Sequence, residues 1–174
     1  SFIPDAMGVT LANIATVIKT TERLLADQDD YEARGEFAWA ATQALNGTTY
    51  LGVEGYGFPN HMIEHTLSAL FNVPHGAGLS VVMPAWMKWY VSHNERQFKR
   101  FAQTLFGLST AMEGIEALES WFNKVGTPTR LSQLSIRESD LAAIVENACE
   151  HAEAFGLAET YTEEVLKEIL QKAL

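Results

Sequence analysis

Three of the chain's five histidines, His61, His65 and His75, fall within fifteen residues. Imidazole binds metals and exchanges protons near neutral pH. Placed on a helix at about 100° per residue, His61, His65, Ser68 and Asn72 share a sector roughly 40–60° wide. Ile63, Leu67, Leu70 and Phe71 take the opposite side. His61 and His65 are then one turn apart, about 6 Å along the axis, from where two imidazoles can reach one ion. His75 lies ten residues past His65, and a turn at Asn72-Val73-Pro74 could fold it back toward the same face. Spacing alone therefore points to a metal or catalytic site of up to three imidazoles. The plainer alternative is a set of structural or surface histidines. The string His61-Met62-Ile63-Glu64-His65 also matches H-x-x-E-H, the inverted zinc-peptidase pattern, with Glu64 as general base. That chemistry needs a further acidic ligand downstream, for which Glu95 and Glu113 are available but not singled out. His93 and His151 sit in polar contexts and read as solvent-facing.

Helices must hold these side chains, and no strand pattern stands out. The reading is all-α, with about eight helices. The first spans about Asp5 to Ala26, with Leu11, Ile14, Ala15, Ile18 and Leu25 near a 3.6-residue period. Asp29 or Asp30 caps the second, which runs to about Gly47. Gly47 to Pro59 is a glycine-rich loop. Asn60 is expected to cap the histidine helix, His61 to Phe71. Pro74 opens a fourth helix, which Pro84 would kink. Asn94 starts a fifth, with Phe98, Phe101 and Leu105 on one face, and Gly107 ends it. The sixth runs from Ala111 to Val125, stopped by Gly126 and Pro128. Ser135 or Ser139 begins the seventh, and Thr162 the eighth.

The chain has 174 residues, 47% of them hydrophobic, enough for one domain with a core. A net charge of -10 repels phosphate backbones and anionic bilayers, so neither nucleic acid nor membrane is an expected partner. Cys149 is the single cysteine, which excludes an intrachain disulfide and fits a reducing cytoplasm. The longest apolar run, Leu79 to Met87, is far short of the ~20 residues that span a bilayer. The chain starts at Ser1 without a signal-peptide pattern, and is expected to be a fragment of something longer.

Gly57 to Trp89 reads GFPNHMIEHTLSALFNVPHGAGLSVVMPAWMKW. This stretch resembles the H-x3-H-x9-H signature of iron-containing (group III) alcohol dehydrogenases. WAATQALNG (Trp39 to Gly47) is similar to the segment before it in the butanol dehydrogenase and aldehyde reductase branch. GTPTRLSQL (Gly126 to Leu134) and Thr162 to Leu174 resemble later parts of the same family. The resemblance implies the multi-helix C-terminal domain of the dehydroquinate synthase-like fold. It assigns His61 and His75 as metal ligands. It places His65 toward substrate and nicotinamide without binding metal, and Phe58 near the substrate cleft.

The family's other two ligands lie in a D-x3-H motif, which occurs nowhere in these residues, and its glycine-rich pyrophosphate turn is absent too. The expectation is a single helical metal and substrate domain over residues 1–174, without the nucleotide-binding domain and inactive alone. In the complete enzyme, Fe(II) or Zn(II) and NAD or NADP would serve a small alcohol or aldehyde. Leu79, Val81, Val82, Met83, Trp86 and Trp89 are too apolar for a bare helix face. Some must pack within the domain while the cleft side stays partly bare, so the isolated chain is expected to self-associate or to move its first helix to cover that side. The alternatives are a helical binding or regulatory domain without catalysis, and the zinc peptidase.

Overall fold

The computed structural model describes residues 6–50 and 57–174. Among them are eight α-helices, three short 3-10 turns and no strand. The helices are α1 (Ala6–Ala26), α2 (Tyr31–Leu45), α3 (Pro59–Phe71), α4 (His75–Tyr90), α5 (Glu95–Phe106), α6 (Ala111–Lys124), α7 (Leu141–Ala154) and α8 (Glu163–Gln171). Asp5 of the expected first helix and residues 51–56 of the expected loop lie outside the described residues. No described helix is long and apolar enough to cross a membrane.

The chain divides into two compact units. One comprises Ser1–Gly57 with Gln103–Gly107. Within it α1 packs on α2 over Leu11, Ala33 and Ala40, where small alanines let the helices approach closely. Asp30, one of the two expected caps, accepts the Ala33 N–H at 3.0 Å and receives Arg23 through Nε and Nη2 at 2.8 and 2.9 Å. The Ala33 N–H holds its carboxyl below the ordinary value against the opposing effect of desolvation, and Arg23 lowers it further. Tyr31 and Trp39 remain 87% and 67% exposed on α2.

The second unit comprises Phe58–Ala102 with Leu108–Leu174. Here α3 packs on α4 and α7, α4 on α6 and α8, and α7 on α8. Met62, Ile63 and Leu67 of α3 meet Val81, Val82 and Ala85 of α4, with Ile144, Leu166 and Ile169 behind them. As expected, part of the apolar surface of α4 packs within this unit. Val81 and Val82 are buried, and Leu79, Met83, Trp86 and Trp89 are half-buried. The indole of Trp86 donates to Tyr161 Oη at 2.9 Å. Glu119, nearly buried on α6, accepts from Lys88 of α4 and from Arg130, each at 2.6 Å.

Several helix starts differ from expectation. Phe58, not Asn60, is the N-cap of α3, because Pro59 takes the first helical position, where its fixed φ is preorganised and its missing N–H is not needed. Ser135 and Ser139 precede α7 in turns, and Ser135 adopts φ +62°. α6 does start at Ala111 as expected, behind a capping box in which Thr110 and Glu113 are bonded reciprocally. α4 continues through Pro84 to Tyr90.

Candidate metal centre

The apolar residues of α3 turn inward and its histidine stripe turns outward. His61 is half-buried and His65 exposed, while Met62, Ile63, Thr66 and Leu67 are buried. At the C-terminus Asn72 adopts φ +53° and donates its N–H to Ser68 O at 3.0 Å. Asparagine tolerates this left-handed conformation better than most residues. The chain then reverses, Val73 packs into the core, and Pro74 caps α4. The first residue of α4 is His75, which thereby returns beside His61.

His61 Nδ1 and His75 Nε2 stand 3.0 Å apart, with ring centroids separated by 5.1 Å. The ring of His65 is 5.4 Å from that of His75. One ligand atom from each of the three lies within 4.8 Å of the others. Two nitrogens at bond lengths of about 2.0–2.1 Å from one ion can be at most about 4.2 Å apart. The His61–His75 pair meets that limit, and the donors suit a divalent transition metal. The His61 ring is held below the ordinary imidazole value first by burial, then by neighbouring His75 and His65, against an opposing effect of Glu64. A lowered value keeps the nitrogen lone pair free at neutral pH.

Phe58 meets the His61 ring edge-on at 5.2 Å and is 38% exposed, so it borders the open side of the cluster. His65 faces His151 of α7 at 6.3 Å and Phe155, the residue that caps the end of α7, at 5.8 Å. His151 was expected to face solvent. It is instead half-buried, with Nδ1 3.2 Å from Thr66 Oγ1. No spacing rule links residues 85 apart, so only tertiary packing reveals it. His93 is exposed as expected and stacks on Tyr90 at 4.9 Å.

The H-x-x-E-H reading fails on the position of its base. Glu64 is completely buried, with one carboxylate oxygen against His75 Nδ1 and the other 2.7 Å from Ser68 Oγ. It has no open route to a water on the cleft side. Glu95 pairs with Lys99 at 2.9 Å and Glu113 caps α6, so neither serves as the acidic ligand. Among the described residues no carboxylate joins the three-histidine cluster. A groove of about 620 Å³ between α7 and α8, lined by Leu141, Val145, Cys149 and Lys167, contains none of the histidines.

An all-helical chain with imidazoles gathered at one helix–turn–helix defines a class that comparison with known proteins identifies. The chain belongs to the Fe-containing alcohol dehydrogenase family: residues 3–174 match its C-terminal part. It is 35% identical over 153 residues to the probable NADH-dependent butanol dehydrogenase 2 of Bacillus subtilis, covering 83% of this chain and 39% of that one. It is 28% identical over 146 residues to the NADPH-dependent aldehyde reductase YqhD of Escherichia coli, covering 79% and 37%. The crystal structure of NADH-dependent butanol dehydrogenase A from Thermotoga maritima superposes with a TM-score of 0.91 at 40% identity, over 98% of this chain and 46% of that one. The chain thus spans less than half the length of these relatives, and its all-α fold is that of the family's C-terminal domain.

Proposed function

We propose that residues 1–174 act as the helical metal and substrate domain of a cytoplasmic, NAD(P)-dependent alcohol dehydrogenase that interconverts small alcohols and aldehydes. The observation that carries this reading is the 3.0 Å approach of His61 Nδ1 to His75 Nε2, with His65 alongside, in a chain of this family. His61 and His75 would hold Fe(II) or Zn(II), the remaining ligands and the nucleotide-binding domain lying outside these residues. Related proteins are named for NADH and for NADPH, and either cofactor suits the reading. When bound, the ion would supply Lewis acidity toward the alcohol or aldehyde oxygen, and NAD(P), held by the rest of the enzyme, would supply the hydride donor or acceptor. His65, beside the pair but not required by it, exchanges the hydroxyl proton at a ring nitrogen. Phe58 offers an apolar wall to the carbon chain. Two imidazoles without a carboxylate leave most of the coordination shell to water, so these residues alone bind metal weakly and do not catalyse.

Isothermal titration with Zn(II) tests the ligand assignment. Wild type is expected to bind at best in the micromolar range, by analogy with incomplete shells. His61→Ala and His75→Ala are expected to abolish binding, and His65→Ala to retain it. Nanomolar affinity, or loss of binding on changing His65 alone, would overturn the assignment.

A further inference from the structure

Glu64 is wholly buried, yet the reaction outlined above gives it no role. Removing a carboxylate from water is costly unless its oxygens are bonded. Both are engaged, Oε1 by the Ser68 hydroxyl at 2.7 Å and Oε2 by His75 Nδ1. Ser68 Oγ also lies 2.9 Å from Val73 O, so its single hydrogen is shared between the carboxylate and the turn that returns His75. Room for Glu64 depends on residue 78 having no side chain. A Cβ at Gly78 would stand 2.6 Å from Glu64 Cγ and 2.9 Å from Cδ. Two helices are thus shaped around one acid whose outer contact is the far nitrogen of an imidazole in the cluster.

We propose that Glu64 is a positioning residue that holds His75 as the Nδ1–H tautomer and so presents the Nε2 lone pair to the cleft. A neutral imidazole carries one N–H. With that proton on Nδ1, donating to Glu64, Nε2 can only accept. In the metal-free chain it accepts the His61 Nδ1–H across 3.0 Å; a cation would require that His61 proton to shift to the other ring nitrogen or leave, whereas His75 Nε2 is already free of one. The opposite tautomer would put a proton where the cation must bind. Carboxylates behind ligating histidines fix ring orientation in this way. Its functional value rests on reading His75 as a metal ligand, whereas the tautomer itself exists without metal.

Long-range nitrogen–proton NMR of the ¹⁵N-labelled, metal-free chain, at a pH where the histidines are neutral, reads the tautomer directly. Wild type is expected to show His75 with its proton on Nδ1. Glu64→Met, which removes the acceptor, is expected to shift His75 toward Nε2–H and to weaken Zn(II) binding about 10–100-fold. Glu64→Gln, whose amide oxygen still accepts, is expected to keep Nδ1–H and restore most of the affinity. A merely structural Glu64 would lower thermal stability in these variants and leave the tautomer unchanged. An Nε2–H His75 in wild type overturns the proposal whether or not Glu64→Met folds, and so does an unaltered tautomer in folded Glu64→Met. If wild type keeps Nδ1–H but binds no Zn(II), the metal reading fails and the positioning role stands.

Discussion

Replacing Gly78 by alanine reverses the usual sign of a glycine substitution in a helix. In an open helical position the change stabilises by roughly 0.5–1 kcal/mol, because glycine carries the larger entropic cost of folding. Gly78 is buried, and an added methyl would approach Glu64 Cγ to 2.6 Å, well inside ordinary contact. The glutamate cannot retreat, since Ser68 and His75 hold both of its oxygens. The helices must part or the acid must lose a partner, an overpacking penalty of about 1–3 kcal/mol. For a chain of this size, at about 2–4 °C per kcal/mol, the melting midpoint should fall by roughly 2–12 °C. Gly76 lies two residues earlier in the same helix and has nothing within 4 Å of an added Cβ, so Gly76→Ala is the control. Thermal denaturation followed by circular dichroism should show Gly78→Ala destabilised and Gly76→Ala unchanged or slightly stabilised. Equal behaviour of the two variants would refute the close fit around Glu64.

Glu119→Ala should cost about 2–3 kcal/mol, less than a fully buried pair because Lys88 and Arg130 are partly exposed, and urea denaturation measures the loss. The Asp30 carboxyl titrates below its ordinary value of 3.8 when folded, so its stabilisation is present above that value and is lost as pH falls through the lower folded one. The gap in melting temperature between wild type and Asp30→Asn should therefore be wider at pH 7 than at pH 2, and a gap independent of pH would contradict the capping account. Tyr31 and Trp39, exposed on α2, lead us to expect self-association at micromolar concentration. A strictly monomeric sedimentation profile without dye-binding apolar surface would count against it.

The helix content was readable because periodic apolar residues, caps and glycine stops agreed with one another over most of the chain. Thr162 and Asp30 cap helices where they were expected to, whereas the Thr110 cap was not anticipated. The histidine stripe was equally legible, since α3 is long enough for its angular pattern to be unambiguous. The return of His75 was only suggested, because it depends on Asn72 entering the left-handed region. His151 and Phe155 were invisible, since α7 reaches the cluster through packing rather than spacing. Glu64 was given no role beyond the alternative zinc-peptidase pattern, for a different reason. A linear motif records neighbours along the chain, whereas its role depends on depth below α3 and on the absent side chain at Gly78. The α4 residues looked too apolar for a helix face because α3, α6 and α8 all pack on that helix.

His61 and His75 are fourteen positions apart along the chain, on either side of a single turn. Closing so short a loop requires little loss of chain entropy, so the pair is a local feature rather than a product of the whole fold. If His61 and His75 bind a cation as proposed, an unfolded chain would retain part of that affinity, because the two nitrogens are so close in sequence. Affinity of that kind subtracts from the stabilisation gained by metal binding to the native state. Saturating Zn(II) should then protect the amides of the 72–75 turn from exchange while raising the global unfolding midpoint little, so that the ion fastens one turn rather than the whole fold.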